Sequence, residues 1–192
     1  MSQAEYDSGR RHLVFETERL CVFVATEGDV ELFYALWTDP RVMRNVGFPQ
    51  GLPIAREMIL DQLKGQAGRV FDTRLLAQLH ESGDPIGECK LGWPNEMGIS
   101  STDVKLLPAY WGNKYGIEIK QALVDYLFTH TDCSVIEATP NVENKASIKM
   151  QDAVGGVRVG EAIFQVPESR RGYATPVHHY IYHVYRENWK PG

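Results

Sequence analysis

The sequence predicts a mixed α/β (α+β) fold: one central, mixed but mainly antiparallel sheet of about seven strands, with helices on both faces. Three observations predict it. Short runs of β-branched and aromatic residues recur along the chain, several of them closed by glycine or proline. Between them lie stretches whose apolar residues fall three and four apart, the period of a half-buried helix. The two kinds follow each other irregularly, β-α-α-β-β-β-α-β-α-β-β, which does not suit a regular parallel βαβ sheet.

Residues 1–12 are polar and charged and read as a flexible lead-in to a single domain over residues 13–192. Leu20–Ala25 is a strand by composition. Asp29–Trp37 has helical spacing at Leu32, Phe33, Leu36 and Trp37, with Thr26 or Asp29 as cap and Thr38-Asp39-Pro40 as its stop. Gly47–Pro53 is a loop, and Ile54–Leu63 a second helix. Phe71–His80 and Ile86–Gly92 flank the turn Ser82-Gly83-Asp84-Pro85 and form a hairpin. Ile99–Leu107 is a strand that Pro108 ends. Tyr115–Phe128 is a helix with one apolar stripe at Tyr115, Ile119, Ala122, Leu123, Tyr126 and Leu127. Ser134–Thr139 is a strand, Asn144–Val154 a helix, and Val157–Glu161 and Val177–Tyr185 closing strands.

Composition narrows the function. The chain has 192 residues, 43% of them hydrophobic, enough for a packed core. Its net charge of −5 comes from interspersed charges, which argues against nucleic-acid binding. No apolar run reaches the ~20 residues that span a bilayer. The first residues lack the apolar region of a signal peptide, so a cytoplasmic location is expected. Cys21, Cys89 and Cys133 are far apart and odd in number, small apolar fillers rather than a disulfide or zinc framework. His178, His179 and His183 sit in a β-rich segment. Four residues along a strand span ~13 Å, too far for one ion, so no metal is expected. These histidines are expected on one sheet face, with Tyr180 and Tyr182 on the other.

Two segments carry the chemistry. In Asp103–Phe128 a strand stops at Pro108 and a short glycine-containing loop enters a helix. Such a loop leaves unpaired N–H groups beside the positive end of the helix dipole, an anion site. Gly112 and Gly116 allow close approach of a phosphate, and Lys114 adds a charge. In Ile136–Gly160 a strand ends at Pro140 and Asn144 caps a helix, with Ser147 on its first turn. Each segment alone reads better as a plain turn or cap.

Together they resemble motifs A and B of the GNAT N-acetyltransferase superfamily. Motif A, Gln/Arg-x-x-Gly-x-Gly/Ala, matches Trp111, Gly112, Asn113, Lys114, Tyr115 and Gly116. Asn144-Lys145-Ala146-Ser147 matches the Asn-x-x-Ser of the branch that acetylates ribosomal-protein N-termini. Glu16–Leu20, Asp39-Pro40, Val42–Arg44, Pro85-Ile86-Gly87, Leu107–Gly112 and Tyr185–Trp189 also match that branch, so the resemblance runs from Glu16 to Trp189. It departs from the pattern at Lys114, where glycine is usual, and at Gly156, where phenylalanine is usual. The loss at Gly156 is expected to open a gap beside the cofactor. A residue with a Cβ at 114 is expected to present its N–H from a negative φ.

The resemblance implies an acetyl-CoA-dependent N-acetyltransferase in which a primary amine, of a protein N-terminus or a small molecule, attacks the thioester directly. Acetyl-CoA is then a co-substrate, and no metal is implied. By analogy, pantetheine pairs with the strand Val104–Leu107, with Lys105, Leu106 and Leu107 beside it, at backbone groups exposed by a bulge. The Leu107 N–H becomes the oxyanion donor. The N–H groups of Gly112, Asn113, Lys114, Tyr115 and Gly116 receive the diphosphate. Asn144 holds the pantetheine amide, and Ser147 protonates the leaving sulfur. Glu88 and Asp103 are the candidate bases, acting through water, because an α-amine with a pKa near ~8 needs little help. Taken alone, either acid reads better as a solvated edge residue. Trp37, Phe48, Trp93 and Tyr110 are candidates for an acceptor pocket, and Arg44, Arg56 and Arg74 for solvated charges. A non-catalytic acyl-CoA-binding module, or an acyltransferase for a longer acyl-CoA, is the alternative. A homodimer is compatible with the sequence but no residue specifies one.

Overall fold

The computed structural model describes residues 11–66 and 68–190. Most of the expected lead-in lies outside the described residues. Its last two residues are not loose: Arg11 pairs with Asp29 at 2.6 Å, and the His12 carbonyl accepts from Val24 N–H at 2.9 Å.

Eight strands form one sheet in the order β1-β2-β3-β4-β5-β6-β8-β7. They are β1 (Leu13–Glu16), β2 (Leu20–Val24), β3 (Leu75–Leu79), β4 (Pro85–Leu91), β5 (Ile99–Leu106), β6 (Val135–Ala138), β7 (Val157–Phe164) and β8 (Val177–Tyr185). The helices are α1 (Val30–Thr38), α2 (Pro40–Met43), α3 (Arg56–Leu63), α4 (Tyr115–His130) and α5 (Lys145–Ala153). Two elements escape the sequence reading. β1 is four residues in a polar context and holds by pairing with β2. At α2, Pro40 stops α1 but starts the next turn, since its fixed φ suits a first helical position; the Asp39 carboxylate caps Arg41 N–H.

Every neighbouring pair is antiparallel except β5 and β6, which are joined through α4. That parallel pairing is brief, Ile99–Ser101 against Val135–Glu137. Beyond it the two strands diverge, and the second half of β5 keeps only β4 as a partner.

Alternation along the strands divides the core in two. Leu20, Val22 and Val24 face α4 and pack on Ile119, Leu123 and Leu127. Phe23 and Leu76 face the other way, onto Phe33, Leu36 and Trp37 of α1 and Ile59 of α3. The inward stripe of α4 is turned relative to the expected one: Ala122 and Tyr126 are only half-buried, while Gly116 and Lys120 lie inside. At the far end of α4, Arg186 donates to the carbonyls of Phe128, Thr131 and Cys133, a cation at a helix C-terminus. All three cysteines are buried and free. In β8 strict alternation places His178 on the face of Tyr180, with Tyr182 next along it, and His179 and His183 on the other. The expected division of histidines from tyrosines therefore fails at His178.

Candidate active site

The site is built around the divergence of β5 from β6. Along β5 the pairing with β4 alternates: Leu107 N–H donates to Ile86 O at 2.9 Å and Gly92 N–H to Ser101 O at 2.8 Å. Odd-numbered residues therefore point their backbone at β4, and even-numbered ones point theirs into the gap. Two expectations change. The Leu107 N–H is already engaged, so Leu106 and Val104 supply the free N–H groups along the gap. Lys105 likewise turns its backbone toward β4. No bulge interrupts the pairing from Leu91 with Thr102 to Gly87 with Leu106; the divergence itself exposes the backbone. The Leu106 carbonyl accepts from the Trp111 indole at 2.9 Å, which fixes the start of the following loop.

That loop enters α4. None of the five N–H groups of Gly112, Asn113, Lys114, Tyr115 and Gly116 has a partner among the described residues. They surround the N-terminus of a 16-residue helix. Gly112 has φ +84° and Lys114 φ +64°, both left-handed, so Lys114 presents its N–H from a positive φ rather than the expected negative one. A Cβ at Gly112 would meet nothing within 4 Å; its glycine serves the turn. A Cβ at Gly116 would come within 2.7 Å of Met150 Sδ, so that glycine lets α4 approach α5. The space beside Gly112 stays open to the expected phosphate, while Gly116 has a packing role that glycine spacing does not mark.

Arg19 holds the loop from the side. Its guanidinium bonds Glu118 Oε2 at 2.7 Å and the Asn113 carbonyl at 3.2 Å, and lies 4.5 Å from the Tyr115 ring centre. Burial alone would raise the Glu118 pKa, but hydrogen bonds from Thr17 and Arg19 hold it below the usual carboxylate range. Arg19 and Glu118 were missed because an arginine before a strand and a glutamate on a helix face look solvated. Asn144 caps α5 by accepting from Ser147 N–H at 3.2 Å, so its amide NH₂ and the half-buried Ser147 hydroxyl remain for a ligand. A Cβ at Gly156 would come within 2.8 Å of Gln151 O and 3.3 Å of the Tyr182 ring. A side chain at 156 would collide first with the Gln151 carbonyl, so the turn after α5 is built for glycine.

On the other face of β5 lies a cleft of about 450 Å³ whose floor includes Trp37, Arg74, Glu88, Asp103 and Lys105. Glu88 is 2% exposed on an interior strand, not a solvated edge residue. Its Oε1 accepts from the Trp37 indole at 2.9 Å and pairs with Lys105 Nζ at 3.1 Å. Its Oε2 has no hydrogen-bond donor and lies 3.9 Å from Arg74, whose guanidinium covers the Trp37 ring. Lys105 also pairs with Asp103. Burial would raise the Asp103 pKa, but the Lys105 ammonium holds it below the ordinary range. Lys105 in turn is held well above its ordinary range, because the charges of Asp103 and Glu88 outweigh burial. Arg74 is thus a floor residue rather than a free surface charge. Arg56 sits over the Tyr34 ring and pairs with Glu31. Trp37 and Phe48 line the cleft. Trp93 instead packs on Phe71, and Tyr110 on the α4-side core.

An anion cradle and a carboxylate-bearing cleft therefore meet across one strand. A cradle suited to a phosphorylated donor on one side of a strand and a cleft on the other suit group transfer between two bound molecules. The chain belongs to the acetyltransferase (GNAT) domain family, whose model matches residues 19–157. It is thus an acetyl-CoA-dependent N-acetyltransferase. It is 28% identical over 151 residues to the uncharacterized N-acetyltransferase p20 of Bacillus licheniformis, covering 75% of this chain and 82% of that one. The fold matches a GNAT acetyltransferase from Bacillus anthracis with TM-score 0.74 at 21% identity, over 90% of this chain and 98% of that one. It also matches the ribosomal-protein-S5-alanine acetyltransferase of Vibrio fischeri, with TM-score 0.71 at 18% identity, over 92% and 98%. No helix among the described residues is long and apolar enough to cross a membrane.

Proposed function

We propose that the chain transfers the acetyl group of acetyl-CoA to a primary amine that enters the cleft beside Glu88. The observation that carries this reading is the carboxylate of Glu88: buried, aligned by Trp37 and Lys105, and with one oxygen lacking a donor. Acetyl-CoA supplies an activated acyl group, and the five free N–H groups from Gly112 to Gly116 suit its diphosphate. The Val104 and Leu106 backbone suits an extended pantetheine, and the Asn144 amide its carbonyl.

The amine nitrogen forms the new C–N bond as the C–S bond breaks. Glu88, whose free oxygen is enclosed beside Arg74, takes the proton the nitrogen sheds through water once that guanidinium shifts. The Leu106 N–H steadies the carbonyl oxygen as it gains charge. The Ser147 hydroxyl gives a proton to the departing thiolate as it takes one from water, and Glu88 later releases its proton to solvent, so the protons balance. Asp103 keeps Lys105 charged and in place and is not itself the base.

The test is thiol release from acetyl-CoA with a panel of amines. Glu88→Gln is expected to lower kcat by about a hundredfold at neutral pH while leaving acetyl-CoA affinity unchanged. Unaltered turnover in this variant would leave water as the base. Acetyl-CoA binding with no amine-dependent thiol release would overturn the transferase reading.

A further inference from the structure

We infer that the acceptor is a single amine on an apolar, aromatic-sized body, and that Arg170 at the mouth of the cleft turns polycations away. This rests on the transferase reading above and deepens it.

The walls are apolar: Met43, Val46, Leu52, Ile54 and Met58 line them, and Phe48 stacks on Tyr173 with ring centres 6.1 Å apart and planes 16° from parallel. The charged lining consists of Arg74, Lys105 and Arg170 against Glu88 and Asp103, an excess of one positive charge. The two carboxylates are not free to receive several cations. Lys105 bridges both, and Arg74 stands beside the second Glu88 oxygen. One oxygen of Glu88 accepts no hydrogen bond, but it is enclosed beside Arg74 and opens to a ligand only when that guanidinium shifts. One amine can therefore be matched at the floor. A second or third ammonium of the same molecule would lie against methionine, valine and leucine side chains, or toward Arg170. An unpaired ammonium on such a surface loses hydration without compensation.

Arg170 is the cation that the cleft does not neutralise. It is exposed, and its guanidinium has no carboxylate partner among the described residues, whereas the neighbouring Arg171 pairs with Glu168. Its position follows from the loop between β7 and β8, which also brings Tyr173 over Phe48. The acceptor body then rests on Phe48, Tyr173 and the aliphatic wall. An arylalkylamine and a peptide with an apolar N-terminal residue share this chemistry.

The experiment measures kcat/KM for phenethylamine, a hexapeptide beginning with phenylalanine, spermidine and kanamycin, with wild type and Arg170→Glu. For the wild type the better of the first two is expected to exceed spermidine and kanamycin by about tenfold or more, equivalent to about 1.4 kcal/mol. Which of the two is better identifies the source of the amine. Arg170→Glu is expected to narrow the ratio to spermidine at least threefold with acetyl-CoA affinity unchanged. Spermidine or kanamycin used as well as phenethylamine and the peptide would overturn the acceptor assignment while leaving the transferase reading intact. An unchanged ratio in Arg170→Glu would remove the role of Arg170. Acetyl-CoA binding without thiol release by any amine would overturn both readings.

Discussion

Lys120→Met should make the protein more stable, although it removes a hydrogen bond. Lys120 lies on the buried face of α4, 2% exposed, with its ammonium on the Thr102 hydroxyl. Burial lowers its pKa from 10.5 to about 8, and the Asp103 charge recovers only part of the loss. At about 1.4 kcal/mol per pH unit, keeping this ammonium charged in the fold costs about 3 kcal/mol relative to the unfolded chain at neutral pH. Between pH 8 and 10.5 the unfolded chain binds more protons than the folded one, so stability from this group rises with pH through that window. Below it the full cost applies. Methionine fills the same space without charge, while Thr102, half-buried, turns to water. The expected gain at pH 7 is about 1–3 kcal/mol, or roughly 3–8 °C in Tm for a chain of this size. Thermal unfolding of both proteins at pH 7 and pH 10 tests it. The difference between them should shrink by at least half at the higher pH. A variant less stable than wild type by more than about 1 kcal/mol at pH 7, or a difference that does not change with pH, would refute the reasoning.

Four further outcomes are expected. Gly51→Ala should cost about 2–4 kcal/mol or displace the loop at the acceptor cleft, because Gly51 has φ +81° and a Cβ there would collide with the Thr38 carbonyl. Gly112→Ala, with φ +84° but open space around it, should cost only about 1–2 kcal/mol; urea unfolding of the pair compares strain with collision. Arg19→Ala should weaken acetyl-CoA binding about fivefold by calorimetry with little change in amine KM, since its contacts order the Asn113–Tyr115 stretch and are partly exposed. Ser147→Ala should lower kcat about tenfold while acetyl-CoA affinity holds; unchanged turnover would end its role as the acid.

Much of the fold could be read from the chain because its signals are local. The β-branched runs locate seven strands, and the stripe in α4 is visible even though its phase shifts. β1 is too short to signal itself and exists only through its partner. Lys120 breaks the expected stripe because a charged residue at a buried position carries no local mark. The cradle was legible as glycines beside a helix start, but the reasons for them were not. Gly116 answers to Met150, thirty-four residues away, and Lys114 adopts a conformation that lysine composition does not suggest. Glu88 reads as a surface acid because its partners lie far apart in the chain, Trp37 in α1, Lys105 in β5 and Arg74 just before β3. Which N–H groups face the gap depended on strand parity, so Leu107 and Leu106 exchange roles by one residue.

The brief contact of β5 with β6 is also a narrow structural joint. Two antiparallel half-sheets are joined there by three residue pairs, with the fully enclosed Ser100 between them, its hydroxyl on the Gly92 carbonyl. The opening angle of the two halves is set at this short joint, yet it is felt at the free end of β5. A larger side chain at Ser100, touching neither donor nor acceptor, would therefore change how both are held at once.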